Sequence, residues 1–185
     1  MDPALSSVYQ AYAKALDGMD ASSTLLHPSG DQARWNARQV IEHLILTYRS
    51  TADSLQLRLD RGRPTRAPVT TRHKIAQFLV LKVGWYPSDM KAPAPVCPEE
   101  TCTDPISGEE LAQKFGQNLG AMDQLLDQCA VKFGKERVAS HFALGALTVD
   151  QWRGFHAFHS RHHLKQIARI TSAIHAVNGK TASTT

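Results

Sequence analysis

The sequence predicts an all-α protein, an antiparallel four-helix bundle with an extra short helix and a long proline-rich loop. Three observations lead there. Apolar residues recur at spacings of three and four over four long segments, capping residues open these segments, and strand-like alternation is almost absent. At 185 residues and 42% hydrophobic content, the chain is large enough for one domain with its own core. A single domain is expected over residues 1–179, followed by a disordered tail over 180–185.

Asp2 and Pro3 form a cap and first-turn pair, and Leu5, Val8, Tyr9, Tyr12, Leu16 and Met19 follow at helical spacing, so a first helix runs to about Gly18. The His27-Pro28-Ser29-Gly30 turn then carries the chain across an end of the bundle. Asn36 caps a second helix with Gln39 reaching back, and Val40, Ile41, Leu44, Ile45, Tyr48, Leu55 and Leu59 form its apolar stripe up to Arg61-Gly62-Arg63-Pro64. A shorter helix is expected from Arg72 to Val83, with Ile75, Phe78, Leu79 and Leu81 on alternating faces before Gly84 stops it. Ser88 to Pro105 holds four prolines and no sustained period, so it reads as a loop. Ser107 with Glu110 predicts a capping box for a helix ending before Phe133-Gly134. Thr148 with Gln151 predicts another, opening a last helix that Asn178-Gly179 ends.

Charge and cysteine usage narrow the function classes. The net charge of +4 centres on Arg58, Arg61, Arg63, Arg66, Arg72 and Lys74, a run that Pro64 and Pro68 break and no aromatics interleave. It reads as solvated helix ends, and nucleic acid is not an expected partner. No segment approaches the roughly 18 apolar residues of a membrane span, and the start lacks the basic-then-apolar order of a secretory signal, so no membrane role and a cytoplasmic location are expected. Cys97, Cys102 and Cys129 match no zinc-ribbon or redox spacing and read as free thiols. No phosphate loop, nucleophile elbow or dinucleotide fingerprint appears.

Function is therefore sought among polar residues that interrupt the core. His159 and His163 stand four residues apart on the last helix, one turn apart on one face, in line with Trp152, Gln166 and Ile170. Two imidazoles so placed are metal-ligand geometry, since neutral imidazole is the commonest protein ligand for zinc and similar ions. His156 lies on the border of that stripe, suited to a role behind the ligands or as a proton carrier, and His162 lies on the opposite flank. On the second helix His43 falls at the margin of the apolar face, a position that fits a ligand at a cleft mouth and an exposed residue equally well.

These residues resemble a known family. A tryptophan (Trp35) before a capped helix bearing His43, then His159-x-x-x-His163-x-x-Gln166-Ile167 on a final helix, is similar to the DinB/YfiT-like metalloenzyme superfamily. More narrowly, Gly145-Ala146-Leu147-Thr148-Val149-Asp150-Gln151-Trp152 with the following histidine segment resembles a branch known only as a domain of unknown function. The likeness spans roughly Trp35 to Ile170, though its motifs fill two short segments. It implies a bundle holding a divalent ion on His43, His159 and His163. It also implies chemistry of the kind some members perform, transfer or isomerisation with a low-molecular-weight thiol such as mycothiol, bacillithiol or glutathione. The chain departs from the branch at His141-Phe142-Ala143-Leu144, where His-Pro is usual, which puts the loop and the role of His141 apart from the pattern.

Three histidines leave a coordination position open for water, a thiolate or a carbonyl oxygen. The function expected is a divalent-metal-binding protein, zinc or nickel ahead of iron or manganese, acting on a small molecule as a thiol-dependent transferase or metal-assisted hydrolase. The alternative is a non-catalytic metal-binding or assembly module. A homodimer is also expected, from the apolar length of helix one and from dimers being the commonest oligomer. The proline-rich loop is expected near the open position.

Overall fold

The computed structural model describes residues 1–28, 31, 33–85, 92–98 and 104–181, and beyond residue 173 only the backbone. Four long helices form the bundle: α1 (Pro3–Leu16), α2 (Ala37–Asp60), α4 (Gly108–Phe133) and α5 (Val149–Thr181). The short α3 (Thr71–Phe78) continues through a π-turn at Leu79–Val83. Single 3-10 turns lie at Ser23–Leu25 and Ala94–Val96, and a hairpin pairs β1 (Ala139–His141) with β2 (Gly145–Leu147).

Local chemistry sets most boundaries. Asp2 Oδ1 accepts from the Ala4 and Leu5 N–H groups, and the Asn36–Gln39 and Thr148–Gln151 capping boxes form with both reciprocal bonds. Thr70 and His73 make a further box that opens α3. Ser107 caps α4 through the Glu110 N–H, but the Glu110 carboxylate turns to Lys114 at 3.1 Å, so the expected box is half made. Helix α1 stops at Leu16 rather than near Gly18, α4 includes Phe133, and α5 continues past Asn178-Gly179 to Thr181, a tolerable cost of about 1 kcal/mol for an internal glycine. Residues 182–185 of the expected tail lie outside the described residues.

The helix directions follow from cross-helix contacts. The start of α4 meets the end of α1, where Gly108 N–H donates to Met19 O, and the middle of α4 meets the start of α1, where Asp2 N–H donates to Asp123. These two are antiparallel. Helices α2 and α5 also run antiparallel, with His43 against His163 and, further along α2, Tyr48 against the earlier His156 of α5. Arg49 meets Asn118 and Leu59 meets Lys132, so α2 and α4 lie parallel. The long connection through α3 and the proline-rich segment makes this possible, returning the chain to the end of the bundle where α2 began.

Leu5, Val8, Tyr12 and Leu16 of α1 are buried against both α4 and α5, so the apolar length that suggested a homodimer is covered within the chain. They join Ile41, Leu44, Tyr48 and Leu55 of α2, Phe115, Leu119, Met122 and Leu126 of α4, and Ile167 and Ile170 of α5 in one core. Each fully buried side chain of this size contributes about 1.5–3 kcal/mol. Helix α3 presents a different face than expected. Ile75 and Phe78 are exposed while Gln77 and Val80 are buried, because Gln77 Nε2 donates to Leu144 O and anchors that side on the hairpin.

A glycine is required where α4 crosses the end of α1. A Cβ at Gly108 would stand 2.0 Å from the Leu16 carbonyl oxygen, a backbone atom that cannot swing aside. Gly108→Ala is expected to destabilise the chain by about 1–3 kcal/mol. Urea unfolding checks this, and a midpoint equal to wild type would contradict the close approach.

Among the described residues no helix is long and apolar enough to cross a membrane. Cys97 is exposed and Cys129 buried, both as free thiols, and Cys102 lies outside the described residues.

Candidate metal centre

The first half of α2 and the middle of α5 bring His43, His159 and His163 together. Their ligating nitrogens all lie within 4.8 Å of one another, with His43 and His159 buried and His163 partly so. His159 Nε2 stands 3.3 Å from His43 Nε2 and 3.1 Å from His163 Nε2. Two nitrogens on one zinc at about 2.0–2.1 Å and tetrahedral angles lie roughly 3.3–3.4 Å apart. The observed separations fit such an arrangement closely.

The outer nitrogens explain why these lone pairs point inward. His43 Nδ1 lies 2.6 Å from the Val96 carbonyl, which can only accept, so Nδ1 carries the hydrogen and Nε2 is bare. His163 Nδ1 donates to Gln166 Oε1 at 3.1 Å, with the same result. Each partner holds ring and tautomer as an outer hydrogen bond does in metal sites. The Trp35 ring packs 5.0 Å from His43 and 6.4 Å from His163, and Phe155 stacks on His159 at 5.4 Å.

Burial also disfavours protonation here. Desolvation lowers the pKa of His43, which the Val96 bond partly offsets. It pushes His163 down to about 3, aided by His43 and opposed by Gln166. His159 falls well below the ordinary histidine range, first from burial and then from the neighbouring imidazoles. Three neutral imidazoles facing one point are suited to hold a divalent cation, whose charge outweighs the mutual repulsion of their lone pairs.

The cluster opens on a cavity of about 320 Å³. Helix α2 contributes Thr47, Thr51 and Ser54; α5 contributes Trp152 and Phe155; the hairpin contributes Ser140, His141 and Phe142. Ala92, Pro93, Pro95 and Val96 close one side, so this part of the proline-rich loop lies beside the three-histidine cluster. Residues 88–91 and 99–103 of that loop fall outside the described residues.

His43 is 5% exposed and faces the cluster, which settles the ambiguity of its position at the edge of the apolar stripe. His156 is fully buried, its ring 5.3 Å from Tyr48 and 5.6 Å from Trp152, and among the described residues neither of its nitrogens has a hydrogen-bond partner. It therefore does not orient the three histidines. His162 is exposed, yet borders the cavity and packs 5.3 Å from His163. Sequence reasoning missed the Val96 carbonyl and placed Gln166 on the histidine stripe without giving it a role. The Val96 carbonyl carries no side-chain signature, whereas Gln166 was legible as the i+3 neighbour of His163.

His156 and His141 predict an acid sensitivity. Burial depresses the His156 pKa to about 3, aided by the nearby His141, and desolvation brings His141 to about 4. Below about pH 6.5 an unfolded histidine takes up a proton that the folded ring refuses, so the unfolded state binds more protons and stability falls as the pH is lowered. The loss runs from about pH 6.5 toward the folded values, with a slope of up to about 1.4 kcal/mol per pH unit for each ring. Above that window these rings add no slope. His156→Met should remove one ring's share of this slope in urea unfolding of the metal-free chain, and an unchanged slope would refute the assignment.

Fold and site together define a helical-bundle protein with a three-histidine cluster open to a cavity. Residues 4–167 match the family model of the DinB superfamily, and the chain belongs to that superfamily. No curated protein and no solved structure gives a significant match.

Proposed function

We propose that this protein binds one divalent metal ion, zinc or nickel foremost, on His43, His159 and His163, and uses it on a small molecule in the adjoining cavity. The observation that carries this reading is the convergence of three Nε2 atoms at 3.1 and 3.3 Å, with the outer nitrogens of His43 and His163 committed as donors. Membership of a metal-associated superfamily supports it.

A metal held by three imidazoles supplies Lewis acidity and a lowered pKa for a bound thiol or water. The chain's own residues do the rest. Val96 O and Gln166 Oε1 hold two ligand rings in register. Trp35, Trp152 and Phe155 exclude bulk water from one side of the centre. Among the described lining residues there is no Asp, Glu, Lys or Arg, so proton traffic to and from a bound thiol falls to solvent, the substrate or His162 at the rim. Thiol transfer suits this site better than hydrolysis, since a thiol can lose its proton to solvent before it enters, whereas water attack gains most from a positioned base.

The test is cobalt substitution. A thiol such as 2-mercaptoethanol added to the cobalt-loaded chain should produce a thiolate-to-metal absorption band, followed by turnover of an added electrophile. A cobalt spectrum indifferent to thiols, with an electrophile hydrolysed at an unchanged rate, would exclude thiol transfer and leave metal-assisted hydrolysis.

A further inference from the structure

The hairpin carries a histidine that the three-histidine cluster does not use. His141 ends β1 and lines the same cavity, its ring 4.5 Å from Phe155 and 5.8 Å from Trp152. The Phe155 ring, stacked 5.4 Å from His159, stands between it and the centre. His141 Nδ1 accepts from the backbone N–H groups of Ala143 and Leu144 at 3.1 and 3.2 Å. Two hydrogens aimed at one lone pair leave no place for a third, so the neutral ring carries its own hydrogen on Nε2.

The hairpin enforces this tautomer. Gly145, with φ +69°, completes the turn, and a Cβ there would meet His73 Nδ1 at 2.4 Å, so the turn is pressed against α3. No acceptor among the described residues pairs with His141 Nε2, and this atom is not sealed in the core as both His156 nitrogens are. His141 lines the cavity, and its Nδ1 edge is taken up by the turn. The ring stays neutral near pH 7, because burial holds its pKa at about 4.

We propose that His141 is a ligand-binding residue that donates its Nε2 hydrogen to an uncharged carbonyl or amide oxygen of the molecule occupying the cavity, at the end away from His43, His159 and His163. The oxygen is uncharged because a neutral donor does little to offset the desolvation of a carboxylate, and no Lys or Arg lies among the described lining residues. The α2 side of the cavity suits the same kind of molecule. Thr47, Thr51 and Ser54 spend their hydrogens on the carbonyls of His43, Thr47 and Ser50, so toward the cavity they present acceptors that an amide N–H or a hydroxyl of the ligand satisfies. This inference rests on the metal reading only for where the ligand's other end lies.

Two substitutions separate a binding role from a structural one. Asparagine at 141 offers Oδ1 to the turn N–H groups but puts nothing at the Nε2 position; glutamine reaches that position with an N–H but leaves the turn uncapped. The zinc-loaded chain is titrated calorimetrically with N-acetylcysteamine, a thiol bearing an amide, and with pentanethiol, which has none. Wild type should prefer the amide thiol about tenfold. His141→Asn should lose that preference at unchanged thermal midpoint and zinc content, while His141→Gln should keep it at a lowered midpoint. Long-range proton–nitrogen NMR should place the hydrogen on Nε2. A hydrogen on Nδ1, or a preference that survives in His141→Asn, overturns the proposal. Should the zinc-loaded wild type bind neither thiol, thiol transfer fails, and His141 is decided with N-methylacetamide, which needs no metal: a shifted Nε2 signal supports the donor role and an unmoved one overturns it.

Discussion

Alanine at His159 is expected to abolish stoichiometric metal binding, and alanine at His43 or His163 to do nearly as much. His159 Nε2 lies between the other two, 3.3 Å from one and 3.1 Å from the other, so its loss leaves two imidazoles with no third donor among the described residues to close the set. Loss of an outer hydrogen-bond partner alone lowers metal affinity by about 10–100-fold. Removal of a ligand should exceed the upper end of that range, whereas Gln166→Ala should fall within it. Metal analysis after dialysis reads the first effect and competition with a chromogenic chelator the second. Binding also stabilises the folded chain, by about 2.7 kcal/mol at a free metal concentration one hundred times Kd. Zinc should therefore raise the melting temperature of wild type and leave that of His159→Ala unmoved. Full metal content in both the His159 and His163 variants would show the assignment to be wrong.

Phe115→Ala is expected to cost about 3–5 kcal/mol, the range for deleting a buried aromatic ring. Phe115 is fully buried, stacked 4.3 Å from Tyr12 and edge-on to Tyr48 at 5.5 Å, so one ring joins α4 to both α1 and α2. The two tyrosines reach from there to the site helix. Tyr12 donates to the Ser160 carbonyl at 2.7 Å, and Tyr48 meets Ser160 Oγ at 2.6 Å, next to His159 in sequence. Burial raises the pKa of both phenols, so they remain neutral donors. For a domain of this size the melting temperature should drop by roughly 6–20 °C. Differential scanning calorimetry measures it, and a fall under about 2 °C would mean that the stack is not a structural junction. Metal stoichiometry of the folded variant should stay near wild type, because Phe115 touches none of the three histidines.

Much of the bundle was legible because its signals are local. Asp2, Asn36 and Thr148 satisfy N–H groups within three residues of themselves, and the stripes of α2, α4 and α5 repeat every turn. The hairpin was not legible. Its strands are three residues each and hold only because Val138 N–H reaches Leu147 O and Gln77 anchors Leu144 and Ala146, contacts that no period records. Helix α3 misled for a related reason, since the polar Gln77 is its buried residue and the apolar Phe78 its exposed one.

By itself, the sequence determined the four long helices, their caps, and the pairing of His159 with His163, because i and i+4 share a helix face whatever surrounds them. It also held the likeness that pointed to His43, but its helical periodicity left that residue on a margin. Only the tertiary structure decided the rest. Running α2 antiparallel to α5 brought His43 Nε2 to His159, and the loop folded back to put a carbonyl at His43 Nδ1. The turn after β1 occupied Nδ1 of His141 and so fixed its hydrogen on Nε2. Which nitrogen carries a hydrogen depends on an acceptor or donor within about 3 Å, and residues separated by 53 or 116 positions reach that distance only when the helices pack.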